Sequence, residues 1–481
     1  MSRLAVQCLF HQLRAFWFSH TWKLHNLAKR DREDDVSAGT HNVEGRRIVA
    51  SSDPDYDTRR ATFNAMIDRR PLEIHVCTEV ADVVAAVRRA RELRVPVSIR
   101  GGGHSVAGHC IGEGAVVVDL AGMRRVVVDP ASRTAVAQGG ATWEDYDSAT
   151  QRFGLASTGG TFTDTGIAGL TLGGGIGYLM GTQGFTVDTL IGVRLVTASG
   201  EIVRASETEN ADLFWGVRGA GANLGVVVEF EYRLQLVGEL YGGVITYPMS
   251  AAAEVLRVTR DLAAVAPDEL TLQCAVGRRT ADTTVIACFQ GAEKDGEQLL
   301  RPLRKVVPVV EDAVRRLSYA EMQGTNALLP FGLRHYWKGH FLRSLPDPLI
   351  ELSVSHVSQR PRSGFDTLLI EFIGGVPLRV SADAMAFNHR QAPVNASALG
   401  IWTSRETDDE HVAWARDYAT SVAPYATGAE YVNYMSEDVQ GDRIRASYGD
   451  TKFAHLQELK RQYDPDNVFR FNQNITPFAK A

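Results

Sequence analysis

The sequence contains no run approaching the ~20 uninterrupted apolar residues of a membrane span, which argues against a transmembrane helix. Basic residues are not in excess. There are 51 Lys and Arg against 57 Asp and Glu, a net charge of −6, with a pI near 6.1. That balance disfavours a nucleic-acid binder working through a broadly basic surface. Cysteine is scarce. The five, Cys8, Cys77, Cys110, Cys274 and Cys288, are odd in number and form no C-x-x-C pair, so no disulfide framework is indicated. Internal repeats and low-complexity segments are absent too. What remains is a chain of 481 residues, 44% apolar and 22% charged. That is the make-up of a soluble globular protein of two or three domains.

Glycine is the exception to this ordinary composition. The 44 glycines are about 9% of the chain, against a usual ~7%, and they are unevenly spread. Eleven of the 31 positions from Gly154 to Gly184 are glycine, as are six of the 14 from Gly101 to Gly114. Glycine permits positive φ and close approach of the backbone to a ligand, at an entropic cost in regular structure. Two dense clusters therefore point to places where the backbone holds something.

Residues 1–45 carry Lys and Arg with no acid before Asp31 and read as an N-terminal extension. A first domain is expected over 46–237. There the spacing of Val80, Val83, Val84, Val87, Ala90 and Leu93 predicts a helix. Thr78 is its expected cap, Glu79 lies in its first turn, and Ala81 denies it a full capping box. Strands are predicted over 95–99, 115–120, 125–129, 134–140, 191–197, 202–204 and 226–236. A second, substrate-binding domain is expected over 238–429. Strand-like runs at 270–276, 283–290, 350–357 and 368–373 alternate there with helices at 251–263 and 294–300, the latter ended or kinked by Pro302. Residues 430–481 form a C-terminal segment with a helix over 451–462. The fold class is α+β, its second domain an antiparallel sheet covered by helices.

The first cluster opens with Arg100-Gly101-Gly102-Gly103-His104-Ser105 at the end of a strand. Consecutive glycines there expose backbone N–H groups in a concavity that suits a phosphate, or simply make a tight turn. A P-loop is excluded because no Lys follows, and Gly219-Ala220-Gly221 lacks the last Gly of a Rossmann fingerprint. A zinc site at His109 and Cys110 has no further ligands at standard spacing, so no metal is expected. The second cluster, Gly159 to Gly177, leaves room for a planar ring beside Gly166, Ala168, Gly169 and Gly173–Gly175, or serves as a packing loop.

These two stretches lie in one chain with Gly184–Asp188, Asp212–Gly219, Asn223–Val227, Tyr431–Tyr434, Tyr448-Gly449 and Tyr463–Ile475. In that order they resemble the PCMH-type, vanillyl-alcohol-oxidase-like flavoproteins, and more narrowly the berberine-bridge-enzyme-like FAD-linked oxidases. The resemblance implies a two-part PCMH-type FAD-binding domain followed by the substrate domain. It implies FAD as cofactor, with Arg100 among the residues that bind it and the amides of Gly101, Gly102, Gly103 and Ser105 holding the pyrophosphate. His104 stands where the family's histidine is bonded to the flavin 8α-methyl. Thr161, Thr165, Gly166, Gly169, Gly173 and Gly177 would line the isoalloxazine and ribityl chain, Val227 would present its backbone to the adenine, and Asn472 and Asn474 sit where the family's C-terminal segment returns to the flavin. Many relatives carry a second, cysteinyl link. Here Phe162 occupies that position, so a single link through His104 is expected.

The resemblance also makes Tyr434 the catalytic base. A phenol with an unperturbed pKa of ~10 needs help to act as one, and Lys338 is the expected neighbouring cation, with His389 a second candidate. Strand alternation would put Tyr431 and Tyr434 on opposite faces. The implied reaction is oxidation of an alcohol, sugar, amine or secondary metabolite, with O2 or another electron acceptor. A flavin-dependent dehydrogenase and a non-catalytic flavin-binding protein are the alternatives.

Overall fold

The computed structural model describes residues 41–43, 46–278, 282–326, 329–439 and 441–478. The expected extension over 1–45 therefore lies outside the described residues except for the strand His41–Val43. The first sheet has five strands in the order His41–Val43, Arg46–Val49, Glu73–Val76, Val116–Asp119, Val97–Arg100. Its last three strands run parallel, and the helix Val80–Leu93 makes the crossover between Glu73–Val76 and Val97–Arg100. Val83, Ala86, Val87 and Ala90 form the helix's buried stripe, as the spacing predicts. The cap differs. Glu79 is the N-cap residue, and the Asp82 carboxylate accepts from the Thr78 and Glu79 amides at 2.9 and 3.1 Å. The box is thus completed one position later than expected.

The second sheet is antiparallel, in the order Ile202–Ser206, Leu190–Val196, Val226–Arg233, Thr134–Gln138, Val126–Asp129. Ile202 pairs with Val196 in the expected hairpin. A third sheet of eight strands is antiparallel throughout. Five of its neighbours in order are Asp282–Phe289, Leu270–Arg278, Thr367–Phe372, Val394–Trp402 and Arg334–Leu342. The helices Ala252–Val265, Asp347–Ser358 and Asp408–Val422 pack on it. Side chains such as Leu272, Cys274, Ile370, Ala396, Trp402 and Leu349 form a continuous core between them. The molecule is mixed α+β, as the pattern implies.

Two expectations in this region are overturned. Residues 350–357, read as a strand, belong to the helix Asp347–Ser358. Leu349, Ile350, Ser353 and Val357 are its buried positions, a three-to-four spacing that the short window hid. The helix Glu293–Lys305 runs through Pro302. The proline sits in the last turn with its side exposed, while buried Leu300 and Leu303 anchor the helix on either side. The Leu303 carbonyl accepts from the Tyr247 hydroxyl at 3.0 Å, so packing outweighs the single backbone bond proline removes.

The C-terminal segment returns to the first two sheets. The Lys460 ammonium, fully buried, donates to Asp464 Oδ2 at 2.6 Å and to the Asn223 and Phe469 carbonyls at 2.9 and 2.8 Å. The Asn223 amide oxygen then accepts from the Ile475 amide at 2.9 Å. A buried charge held this way is satisfied by three acceptors, and removing any of them leaves it exposed to the desolvation penalty.

Candidate active site

The loop that leaves Val97–Arg100 meets the loop that opens the second glycine cluster. A Cβ built on Gly102 would lie 2.4 Å from the Gly166 amide nitrogen, and one on Gly166 would lie 2.4 Å from that of Gly102. The two loops approach backbone on backbone, which only glycine allows. Gly101 is less constrained: a Cβ there would lie 3.1 Å from the Gly139 carbonyl oxygen. Arg100 folds back, donating to the Arg59 carbonyl, and the Ser105 hydroxyl accepts from the His109 amide at 3.1 Å. Gly101, Gly102, His104 and Ser105 remain partly exposed.

His104 rests on the ring of Phe63, with centroids 4.6 Å apart and planes 22° from parallel. His335 stacks on Phe63's ring at 4.1 Å, and Phe331 meets His104 edge-on at 5.4 Å. His104 Nε2 lies 3.3 Å from Asp164 Oδ2, and Asp164 belongs to the second loop. His335 is 1% exposed; burial, with a lesser contribution from His104, pushes its imidazole down to about 3, so it is neutral at working pH.

The second cluster divides in two. Where a Cβ on Gly169 would stand, nothing lies within 4 Å, and this helical residue is exposed. It borders open space that suits a flat ligand. Gly173 and Gly177, expected to line the same ligand, instead make room for protein. Their Cβ atoms would lie 2.0 Å from Asn433 Oδ1 and 1.8 Å from the Gly159 carbonyl. Thr161 and Thr165 are partly exposed at the mouth of the loop, where the Thr165 carbonyl accepts from the Trp143 amide at 3.1 Å. Val227 is buried, and its carbonyl faces Gly139. Asn472 and Asn474 each keep a buried side-chain oxygen without a hydrogen-bond partner.

Residues 432–434 form a 3-10 turn, not the strand whose alternation would separate the two tyrosines. Three residues make one turn of such a helix, so Tyr431 and Tyr434 share a side, their rings 4.8 Å apart. The Tyr431 hydroxyl accepts from the Gly175 and Ile176 amides at 2.9 and 3.3 Å. It also accepts from Asn433 Nδ2 at 3.0 Å, which moors the turn to the glycine cluster. Tyr434 is free of that network. It is partly exposed, meets Trp337 edge-on at 5.4 Å, and donates to Glu371 Oε1 at 3.2 Å.

Glu371 escaped the sequence reading. It is 1% exposed on the strand Thr367–Phe372, and Asn395 Nδ2 donates to its Oε2 at 2.7 Å. Gln273 and Asn395 flank it across the sheet. Desolvation raises its carboxyl to about 7, against the weaker pull of the Asn395 and Tyr434 hydrogen bonds. Burial, reinforced by Glu371, holds the Tyr434 phenol well above its ordinary range. One signal was present: a lone acid inside Leu368-Leu369-Ile370-Glu371-Phe372-Ile373 is seldom placed there without a partner.

The structure does not bring Lys338 to Tyr434. On the strand Arg334–Leu342, Trp337 and Phe341 face the two tyrosines, and alternation turns Lys338 to the other face. There its ammonium pairs with Asp438 Oδ1 at 2.8 Å and lies 5.6 Å from the Tyr336 ring centroid. Desolvation lowers its pKa. His389 is buried against Phe341 at 4.2 Å, and burial pushes it down to about 3.

Comparison with known proteins gives a consistent picture. The chain matches a family model for an FAD binding domain over residues 71–206, and one described as berberine and berberine like over 430–476. It is 31% identical to an FAD-linked oxidoreductase of Dictyostelium discoideum, over 92% of this chain and 97% of the relative. A crystal structure of 6-hydroxy-D-nicotine oxidase from Arthrobacter nicotinovorans superposes with a TM-score of 0.81 at 26% identity, covering 92% of this chain and 99% of that one. A chitooligosaccharide oxidase structure gives 0.81 at 25% identity, covering 90% and 98%.

Proposed function

Because the chain belongs to the FAD-linked oxidoreductases, with an FAD-binding domain and a berberine-like C-terminal segment, we propose that it oxidises a small alcohol, sugar, amine or secondary metabolite. The observation that carries this reading is the Tyr434–Glu371 hydrogen bond, which connects to the His104 loop through the rings of Trp337 and Phe63. FAD supplies a hydride acceptor, its N5, when bound. The open space beside Gly169 and the unpartnered oxygens of Asn472 and Asn474 fit such a group. Arg100–Ser105, Thr161, Thr165 and Gly166 are the residues that would hold it, with His104 its one covalent anchor and no thiol at Phe162.

Tyr434 removes the proton from the substrate hydroxyl or amine. No cation is needed to make it a base. As Tyr434 accepts the substrate proton, its own phenolic proton passes to Glu371, so a free phenolate is never required. A carboxylate near pKa 7 is matched to that task at neutral pH. Asn395 fixes the other carboxylate oxygen, and Trp337 walls the tyrosine's open edge. Dioxygen is the proposed final acceptor.

The purified protein, mixed anaerobically with panels of alcohols, oligosaccharides and cyclic amines, should lose its flavin absorbance with at least one of them. Bleaching by none of the three classes would overturn the reading. Reoxidation no faster in air than under argon would assign another acceptor in place of dioxygen.

A further inference from the structure

The contact between His104 and Asp164 is not used in the oxidation just described, and it lies where a carboxylate is otherwise hard to explain. Asp164 comes from the loop 161–166, two residues past Phe162, and it reaches across to His104 Nε2 at 3.3 Å. Among the described residues His104 makes no other polar contact. Nε2 itself is buried, and the geometry is not yet that of a straight hydrogen bond. Asp164 Oδ1 is also buried and has no hydrogen-bond partner. Its loop packs backbone on backbone against the loop that carries His104, at Gly166 and Gly102. The imidazole is held between the face of Phe63 and the edge of Phe331.

A carboxylate at Nε2 decides which nitrogen of a neutral imidazole carries the proton. Held at Nε2 by Asp164, the proton leaves Nδ1 with its lone pair free. We propose that Asp164 is a positioning residue for cofactor attachment. It directs Nδ1 of His104 to the flavin and takes the Nε2 proton as the bond forms. This rests on the reading of His104 as the covalent anchor.

The step balances as follows. A bond forms between Nδ1 and the carbon of the flavin 8-methyl group, and one C–H bond of that methyl breaks. The methyl proton and the Nε2 proton are released, the latter to Asp164 and then to solvent. Two electrons pass to dioxygen, which leaves with two protons as hydrogen peroxide. The attached imidazole ends neutral. Without Asp164 it would have to carry a positive charge through the step inside a largely aromatic enclosure, which burial opposes.

The test is attachment itself, read apart from turnover. Protein freed of flavin by expression in flavin-limited cells is mixed with FAD in air, and the mass increase of the intact chain is followed with time for the wild type, Asp164→Asn, Asp164→Glu, Asp164→Ala and His104→Ala. Total bound flavin is measured in parallel. Asp164→Asn should bind FAD to the same stoichiometry but attach it about 10²-fold more slowly, the size of a lost proton-transfer partner. Asp164→Glu should recover part of the rate, and added formate should speed Asp164→Ala. A wild-type rate in Asp164→Asn overturns the proposal, and so does loss of FAD binding in all three Asp164 variants, which would make the residue structural. A wild type that gains no mass overturns the His104 reading beneath it, and a mass gain in His104→Ala does the same.

Discussion

Tyr434 donates to Glu371 across 3.2 Å, so the residue facing the site leans on a buried acid and not on a cation. Consequences follow for the rate. The relay needs Glu371 ionised, and burial places its carboxyl at about 7. The rate of flavin reduction should therefore rise with pH through about 7 and then level. Glu371→Gln should lower it about 10²–10⁴-fold, the usual worth of a placed proton acceptor, and erase the limb near pH 7. Tyr434→Phe should cost a similar factor. Anaerobic stopped-flow measurements from pH 5.5 to 9 check both. A Glu371→Gln profile that keeps the limb would separate Glu371 from the chemistry.

Lys338 offers the opposite case. It lies on the far face of the strand that carries Trp337 and is paired with Asp438. Lys338→Met should keep flavin reduction within a few-fold of wild type. It should instead lower stability by about 1–3 kcal/mol, because Asp438 loses one partner while keeping Arg416 and Tyr336. Thermal unfolding and reduction rates measured together decide the matter. A drop in rate of 10²-fold with unchanged unfolding would restore Lys338 to the site.

The sequence made the fold and the flavin loops easier to read than the chemistry between them. Glycine clusters are legible because few other residues tolerate the backbone approach seen at Gly102 and Gly166. The hairpin joining Val196 to Ile202 is legible because its period is local. Glu371 was not, since its meaning depends on Tyr434, 63 residues away, and on Asn395 across the sheet. Tyr431-Val432-Asn433-Tyr434 misled for a related reason. Four residues cannot reveal whether they alternate or turn, and what turns them here is a set of amides in the distant glycine cluster. The strand placed at 350–357 failed by the same shortness of window.

The two kinds of glycine in the second cluster can be told apart by one methyl group each. Gly169 lies in the helix Ile167–Leu172 beside open space. Alanine there should raise the stability of flavin-free protein by up to about 1 kcal/mol through helix propensity, while weakening FAD retention as the methyl enters the ligand's space. Gly173→Ala has no such space. Its methyl would displace Asn433, breaking that side chain's bonds to Tyr431 and the Leu170 carbonyl. The expected result is lower stability with or without flavin, by roughly 1–3 kcal/mol for the lost buried bonds. Unfolding of both forms of each variant gives the comparison. Equal behaviour of the two variants would mean that both glycines serve packing.

Glu371 also makes stability depend on pH, and the sign is set by its raised carboxyl. In the unfolded chain a glutamate titrates near 4.5, and in the folded one Glu371 titrates at about 7. Between those values the native state holds a proton that the unfolded state has released. The contribution is therefore complete below about pH 4.5 and is lost as pH rises through about 7. At about 1.4 kcal/mol per unit, the full loss is about 3 kcal/mol. Asp147, likewise raised to about 7 by burial, adds a loss of the same sign, so the wild-type profile alone does not isolate Glu371. Glu371→Gln does, because Asp147 is common to both proteins. The difference in unfolding free energy, variant minus wild type, should shift in favour of the variant by about 3 kcal/mol between pH 4.5 and 8. Measured by denaturant titration of the holoenzymes, a difference that stays flat over that range would mean that Glu371 is already ionised in the native protein at acid pH. The Tyr434 relay would then lose its limb at pH 7 as well.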